Sequence, residues 1–209
     1  MLSGEKRRER PENSPSGDQT YYSLRALITT SRRKSQLTNT FVKGLSLLLN
    51  APIIRRGSSN LKSIALQAIE EDFDCLIVVY TARGNPSVLT FYRRVGQRDS
   101  PFVIHGRLFL MGFYLDRHIP AFECLKLVLE SPSTGGKKVF NFLRDLLHKE
   151  EKAKCHGIDL IVKDFGTKEL EKMRLWRNEK LDPAILDFWD PIKDHLYMRL
   201  KIHHVWMPS

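Results

Sequence analysis

Leu27–Leu49 reads LITTSRRKSQLTNTFVKGLSLLL, and the fold class follows from how this stretch is parsed. The run from Leu24 to Thr30 is short and mostly apolar, the pattern of a buried strand. Arg32, Arg33 and Lys34 then interrupt it. Apolar residues return at Leu37, Phe41, Leu45, Leu48 and Leu49, the spacing of one helical face, with Ser35 placed to cap the helix N-terminus. Three cations and two hydroxyls, Ser31 and Ser35, therefore stand where a strand hands over to a helix. A helix N-terminus presents unpaired N–H groups and the positive end of its dipole, which suits phosphate. The same pattern also describes an ordinary solvated loop.

The grammar continues downstream. PIIRRG (Pro52–Gly57) predicts a short strand at Ile53 and Ile54, closed by Arg55 and Arg56, with Gly57 free to turn tightly. Ser58, Ser59 and Asn60 supply a cap for a second helix, whose apolar face is Leu61, Ile64, Ala65, Ala68 and Ile69. CLIVVY (Cys75–Tyr80) is short, continuous and β-branched, as in a strand buried on both faces. Arg83 to Pro86 reads as a turn, Ser87 to Tyr92 as a strand, Gly96 to Pro101 as a turn. Phe102 to Leu115 reads as a strand bent near Gly106 or Gly112. Alternating strands and helices describe an α/β layer, in which ligands meet the loops at the carboxyl ends of strands. The clusters Arg32–Lys34 and Arg55–Arg56, with Arg83, all follow strands and are expected on one edge of the sheet.

The second half opens on a strand candidate, Leu125 to Glu130. A polar loop SPSTGGKK follows from Ser131 to Lys138, then a helix with Val139, Phe142, Leu143, Leu146 and Leu147 on one face. This repeats the opening unit about a hundred residues later and suggests an internal duplication, the helix after Ser35 matching the helix after Lys138. Ile158 to Val162 reads as a strand. Thr167 to Trp176 fits helix or strand, and Asp182 to Pro191 a loop or short helix that buries Phe188 and Trp189. Leu196 to His203 alternates apolar and polar residues, as a half-buried strand does; it is expected to close a second sheet. Residues 1–20 have almost nothing to bury and read as a disordered polar tail, with the charged run KRRER at Lys6–Arg10.

At 209 residues, with 42% hydrophobic and 28% charged positions, the chain has the composition of a soluble globular protein. Its net charge of +10 points to a polyanionic partner. Residues 25–100 hold twelve cations against five acids, residues 101–209 eighteen against fifteen. The excess therefore belongs to the first folded half. Three scattered cysteines, Cys75, Cys124 and Cys155, argue against a disulfide framework and for a reducing compartment. No apolar run approaches the roughly 20 residues that span a bilayer, and the N-terminus has no signal-peptide h-region.

Catalytic and metal patterns are missing. His195, His203, His204 and the Cys155–His156 pair have no CxxC or HxxxH partner. No GxSxG elbow or cysteine nucleophile motif occurs. Ser131 stands where a phosphate-loop glycine belongs, and Lys138 follows Gly136-Lys137 in place of Ser or Thr. The acids Glu70, Glu71 and Asp72 read as a solvated helix end.

The stretch from Leu27 to Tyr92 resembles the Brix-domain family of ribosome-biogenesis proteins. The likeness runs through ITTSRRKSQ (Ile28–Gln36), Phe41, RRG (Arg55–Gly57), Leu61-Lys62, DCLIVVY (Asp74–Tyr80), ARGNP (Ala82–Pro86) and Leu89, in that order and spacing. DHLYMRLKIH (Asp194–His203) resembles a degenerate form of the family's last strand. VGQRDSPFVIHG stands in place of the family's Gly-Pro-Thr-type segment, so the likeness supports residues 96–180 only weakly. The resemblance implies an α/β fold of two similar halves, with mixed sheets and flanking helices, akin to the anticodon-binding domain of class IIa aminoacyl-tRNA synthetases. It places a Brix-like domain over residues 21–209, with halves at about 24–115 and 116–209. It implies non-catalytic binding of ribosomal RNA or its precursor during subunit assembly, alongside other assembly proteins, with no cofactor and no membrane. The compact form is similar to archaeal members, hence cytoplasmic; a eukaryotic source would make it nucleolar. The RNA-facing residues on this reading are Arg32, Arg33, Lys34, Ser35, Arg55, Arg56, Gly57 and Arg83. A protein-docking scaffold and an RNA-modifying enzyme are the alternatives.

Overall fold

The computed structural model describes residues 20–96, 102–130, 133–150, 157–165 and 183–208. The expected tail over residues 1–20 and the ambiguous stretch Thr167–Trp176 lie outside them, apart from Thr20, as does most of the turn at Gly96–Pro101. Two predicted caps start the first two helices. The Ser35 hydroxyl accepts the Thr38 N–H at 3.0 Å and opens α1 (Gln36–Leu49). The Asn60 side chain accepts the Ser63 N–H at 2.8 Å and opens α2 (Leu61–Glu70). The strands are β1 (Tyr21–Ser23), β2 (Ala26–Thr30), β3 (Cys75–Ala82), β4 (Asn85–Arg94), β5 (Phe102–Leu115), β6 (Cys124–Leu129), β7 (His148–Glu150), β8 (Gly157–Lys163), β9 (Ala184–Asp190) and β10 (His195–Trp206), with α3 (Thr134–Arg144) between β6 and β7.

All ten strands form one mixed sheet in the order β2-β3-β4-β5-β10-β9-β8-β6-β1-β7. This corrects the expectation of separate sheets. The last strand does not close a second sheet; β10 pairs antiparallel with both β5 and β9 and joins the two sides. On one side β2 runs parallel to β3, which is antiparallel to β4, and β4 to β5. On the other, β6 runs parallel to β8, β8 antiparallel to β9, and β9 to β10. The pairing pattern repeats, with α1 and α3 in matching places after β2 and β6. β1 breaks the symmetry by pairing with β6 and β7. Only Leu24 and Arg25 link β1, ninth in the order, to β2, first in the order. Three Cα steps span at most about 11 Å, so the sheet must curl until these strands adjoin.

Two apolar clusters explain the run CLIVVY. Cys75, Ile77 and Val79 face a large core with Phe41, Leu45 and Leu48 of α1 and Val139 and Phe142 of α3. Leu76 and Val78 face a smaller core with Ile64, Ala65 and Ala68 of α2. β3 is therefore buried on both faces, as predicted. Cys75 is inert there, its thiol pushed up to about 12 by burial. Each fully buried Leu, Ile or Phe contributes about 1.5–3 kcal/mol.

Three further readings need correction. α3 begins at Thr134, not after Lys138: the Ser133 hydroxyl caps it by accepting the Gly136 N–H at 3.0 Å, and Gly135 and Gly136 are buried. Asp182–Pro191 is neither loop nor helix, because Ala184–Asp190 is β9. Cys124 is disulfide-bonded and Cys75 is free, a single bond and not the framework that the three scattered cysteines argue against. The Arg83–Pro86 turn is tighter than predicted, since Asn85 and Pro86 already belong to β4. Register shifts in β5 fall beside Gly106 and Gly112, the predicted bends. Among the described residues no helix is long and apolar enough to cross a membrane.

Candidate nucleic-acid interface

The candidate edge is built by three parallel segments. Thr30 of β2 pairs with Val79 of β3, and Ile53 bridges Ile28 of β2 in parallel on the other side. Ile28 donates its N–H to the Pro52 carbonyl at 2.9 Å, and Ile54 returns one to the Ile28 carbonyl at 2.9 Å. The buried Thr29 hydroxyl donates to the Ile54 carbonyl at 3.0 Å. All three segments run the same way, so their carboxyl ends share one side of the sheet. Arg55 and Arg56 leave the first, Arg32–Lys34 the second and Arg83 the third. The structure thus brings the three predicted basic groups to one edge.

Local bonds hold each exit. The Ser31 N–H donates to the Val79 carbonyl at 2.8 Å, and its hydroxyl donates to the Arg33 carbonyl at 2.9 Å. Thr38 in the first turn of α1 and Thr81 at the end of β3 share a hydroxyl–hydroxyl bond of 3.0 Å, which ties the Arg32–Lys34 loop to the β3–β4 hairpin. Nothing in the sequence flagged that pair. Gly57 has φ +52°, and Arg56 Nε donates to the Ser59 carbonyl at 3.4 Å. Arg83 and Gly84 form the hairpin with φ of 49° and 82°, the left-handed pair that a two-residue turn demands. The Ser35 hydroxyl caps α1, as predicted, and shares a hydroxyl–hydroxyl bond with Thr38 Oγ1 at 3.0 Å.

The charges are segregated. Arg32, Arg33, Lys34, Arg55 and Arg83 are exposed and Arg56 is half-buried; no acid pairs with any of them among the described residues. The acids nearest in sequence lie at the opposite, amino-terminal edge. Asp72 pairs with Arg25 and with Arg94, the latter at 3.0 Å, and Asp74 with His148 at 3.5 Å. The hydrogen bond from Arg25, with its charge, holds the Asp72 carboxyl below the usual range. Asp72 and Asp74 are thus engaged away from the candidate cations.

Comparison with known proteins finds relatives that carry the name of the family the motifs resemble. No protein-family model matches the chain. Over 94 residues it is 30% identical to a "probable Brix domain-containing ribosomal biogenesis protein" of Thermococcus kodakarensis, covering 44% of each chain. The chain resembles the archaeal Brix-domain proteins. That match spans less than half the relative's length. The fold likeness is wider. A probable ribosomal biogenesis protein from Aeropyrum pernix superposes with a TM-score of 0.67 at 20% identity, over 90% of this chain and 98% of that one. Mil, an archaeal Imp4-like protein, gives 0.59 at 18% identity over 88% and 99%. The fold likeness therefore covers about nine-tenths of the mixed α/β architecture, including the second half, where the sequence carried little of the resemblance.

Proposed function

We propose that this chain is a non-catalytic ribosome-biogenesis factor of the cytoplasm. It binds ribosomal RNA or its precursor through Arg32, Arg33, Lys34, Arg55, Arg56 and Arg83, with Gly57 allowing close backbone approach. The observation that carries the reading is the gathering of these cations at the carboxyl ends of three adjacent parallel segments, with Asp72 and Asp74 held at the other edge. The names of the archaeal relatives supply the ribosomal context. The reading takes residues 21–209 as one Brix-like domain and includes its likeness to the anticodon-binding domain of class IIa synthetases, for which the repeated pairing pattern is the support.

Arginine suits the task, because its planar fork takes two phosphate oxygens and its face stacks on an unpaired base. If about four to six phosphates are neutralised, log K falls against log salt with a slope of roughly −3 to −4 on single-stranded RNA. The Arg55→Glu/Arg56→Glu double variant is expected to bind about tenfold or more weakly at moderate salt, with a shallower slope, and to melt as the parent does. Unchanged affinity and slope in the folded variant would refute this edge as the interface.

A second reading, a protein-docking scaffold, is favoured by one feature. A groove between α1 and the end of β5 exposes Leu37, Leu47, Met111 and Tyr114, with Lys43 and Lys193 at its rim. Its chemistry fits an acidic amphipathic helix. Partner binding that survives high salt would support this reading over the first.

A further inference from the structure

The sheet has a face that the phosphate edge does not use. Leu108 of β5 and Val205 of β10 point into the large core. Side chains alternate along a strand, so Arg107, Phe109, His204 and Trp206 stand on the other side. Register places Arg107 between Thr90 and Trp206, and Phe109 between Val88 and His204. The Arg107 guanidinium lies 5.1 Å from the Trp206 ring centre. The Phe109 ring lies 5.6 Å from His204 and 5.8 Å from His203. Trp206 is 37% exposed, and Arg107, Phe109 and His204 are part-exposed.

The row continues toward α2. Tyr92 packs at the rim of the smaller core beside Tyr80. It is hydrogen-bonded to Tyr80 and lies within electrostatic reach of both Arg107 and Arg56. Ile54, the residue before Arg55, packs against the same small core as Tyr92, so this face runs on to the segment that carries the basic edge. The chemistry of the two faces differs sharply: β5 offers Leu108 and Leu110 to the core, but a cation and an aromatic ring to the open side. Aliphatic side chains suffice to cover a sheet. Rings interleaved with a cation suit the π-faces of unpaired bases.

We propose that Arg107, Phe109, His204 and Trp206 form a stacking platform for unpaired RNA bases, reached by the strand whose phosphates lie on the Arg55–Arg56 edge. This rests on the RNA-binding reading above and adds the part of the nucleotide that the edge leaves untouched.

The test uses two probes on the full chain, a short fluorescein-labelled oligouridylate and inorganic polyphosphate, which has no bases. Trp206→Ala and Phe109→Ala are each expected to weaken oligouridylate binding at least about fivefold, leaving polyphosphate binding and the salt slope unchanged. Trp206→Phe keeps a ring and is expected to bind as the parent. Photocrosslinking of a 5-iodouridine oligomer to the unmodified protein is expected to mark Trp206, Phe109 or His204, a readout that needs no variant to fold. Unchanged oligouridylate affinity in the alanine variants, with crosslinks elsewhere, overturns the platform; the RNA reading then stands if Arg55→Glu/Arg56→Glu still loses binding and falls if it does not. Equal loss of both probes in the ring variants assigns these residues to structure and also overturns the platform.

Discussion

Arg83 holds a backbone conformation, φ 49°, that costs an ordinary side chain about 1–2 kcal/mol. Asparagine tolerates this region better. Arg83→Asn therefore separates charge from turn geometry. Its melting temperature is expected to match or exceed the parent's by about 2 °C, while the salt slope of RNA binding becomes shallower by about 0.7; calorimetry and salt titration check the two halves of the statement. Residues were the scale most legible from sequence. Ser35, Asn60 and Gly57 each occupy the conformations that their side chains and flanking apolar spacing predicted. Arg107 and Phe109 went unnoticed because an alternating strand gives its outward residues no signal until a partner strand is known. The partner rings, His204 and Trp206, lie about a hundred residues away and meet them only through register.

At the scale of elements, β9 and α3 show where local reading fails. AILDFWD contains two acids, which strands usually avoid, and the segment looked like loop or helix. Both acids are engaged, Asp187 through both oxygens and Asp190 through Oδ1 alone, its buried Oδ2 having no hydrogen-bond partner among the described residues. Asp190 Oδ1 accepts the Ile192 and Lys193 N–H groups and closes the turn into β10. Asp187, 1% exposed, takes both oxygens to Arg199 at 2.6 and 2.8 Å, with Lys163 at 3.6 Å. Lys163 reaches on to Glu130 at 3.1 Å, so a ladder of alternating charge crosses β10, β9 and β8 to the end of β6. Removing one member of a buried pair is costly because its partner is left unpaired. Asp187→Asn is expected to lower stability by about 3 kcal/mol, near the low end for a buried pair because Arg199 is 37% exposed. Denaturant unfolding measures it, and a loss below about 0.5 kcal/mol would assign the ladder no structural weight. In α3 the misleading residues were Gly135 and Gly136, which looked like a loop but sit buried in a first turn capped by Ser133.

At the scale of the molecule, sequence suggested two units where the structure has one sheet, because the seam between β5 and β10 is a pairing that no local pattern encodes. Phe142 of α3 stacks edge-on against Phe91 of β4 at 5.1 Å, and Gly106 of β5 leaves room for that ring. Each side thus completes the other's core. A fragment covering residues 20–116 is expected to show no cooperative thermal transition alone and to regain one when mixed with residues 117–209. Circular dichroism melts decide this, and a cooperative melt of the first fragment by itself would refute it. The seam also has a meaning in time. Leu115 leaves the ribosome about 80 residues before His195, an interval of roughly 4–16 s at ordinary rates of synthesis. During it, the nascent chain carries a fourteen-residue strand with an unclaimed hydrogen-bonding side, an invitation to wrong partners. Slower decoding downstream of Leu115 prolongs that exposure, so the order of the strands in the message sets how long this protein must be guarded while it is being made.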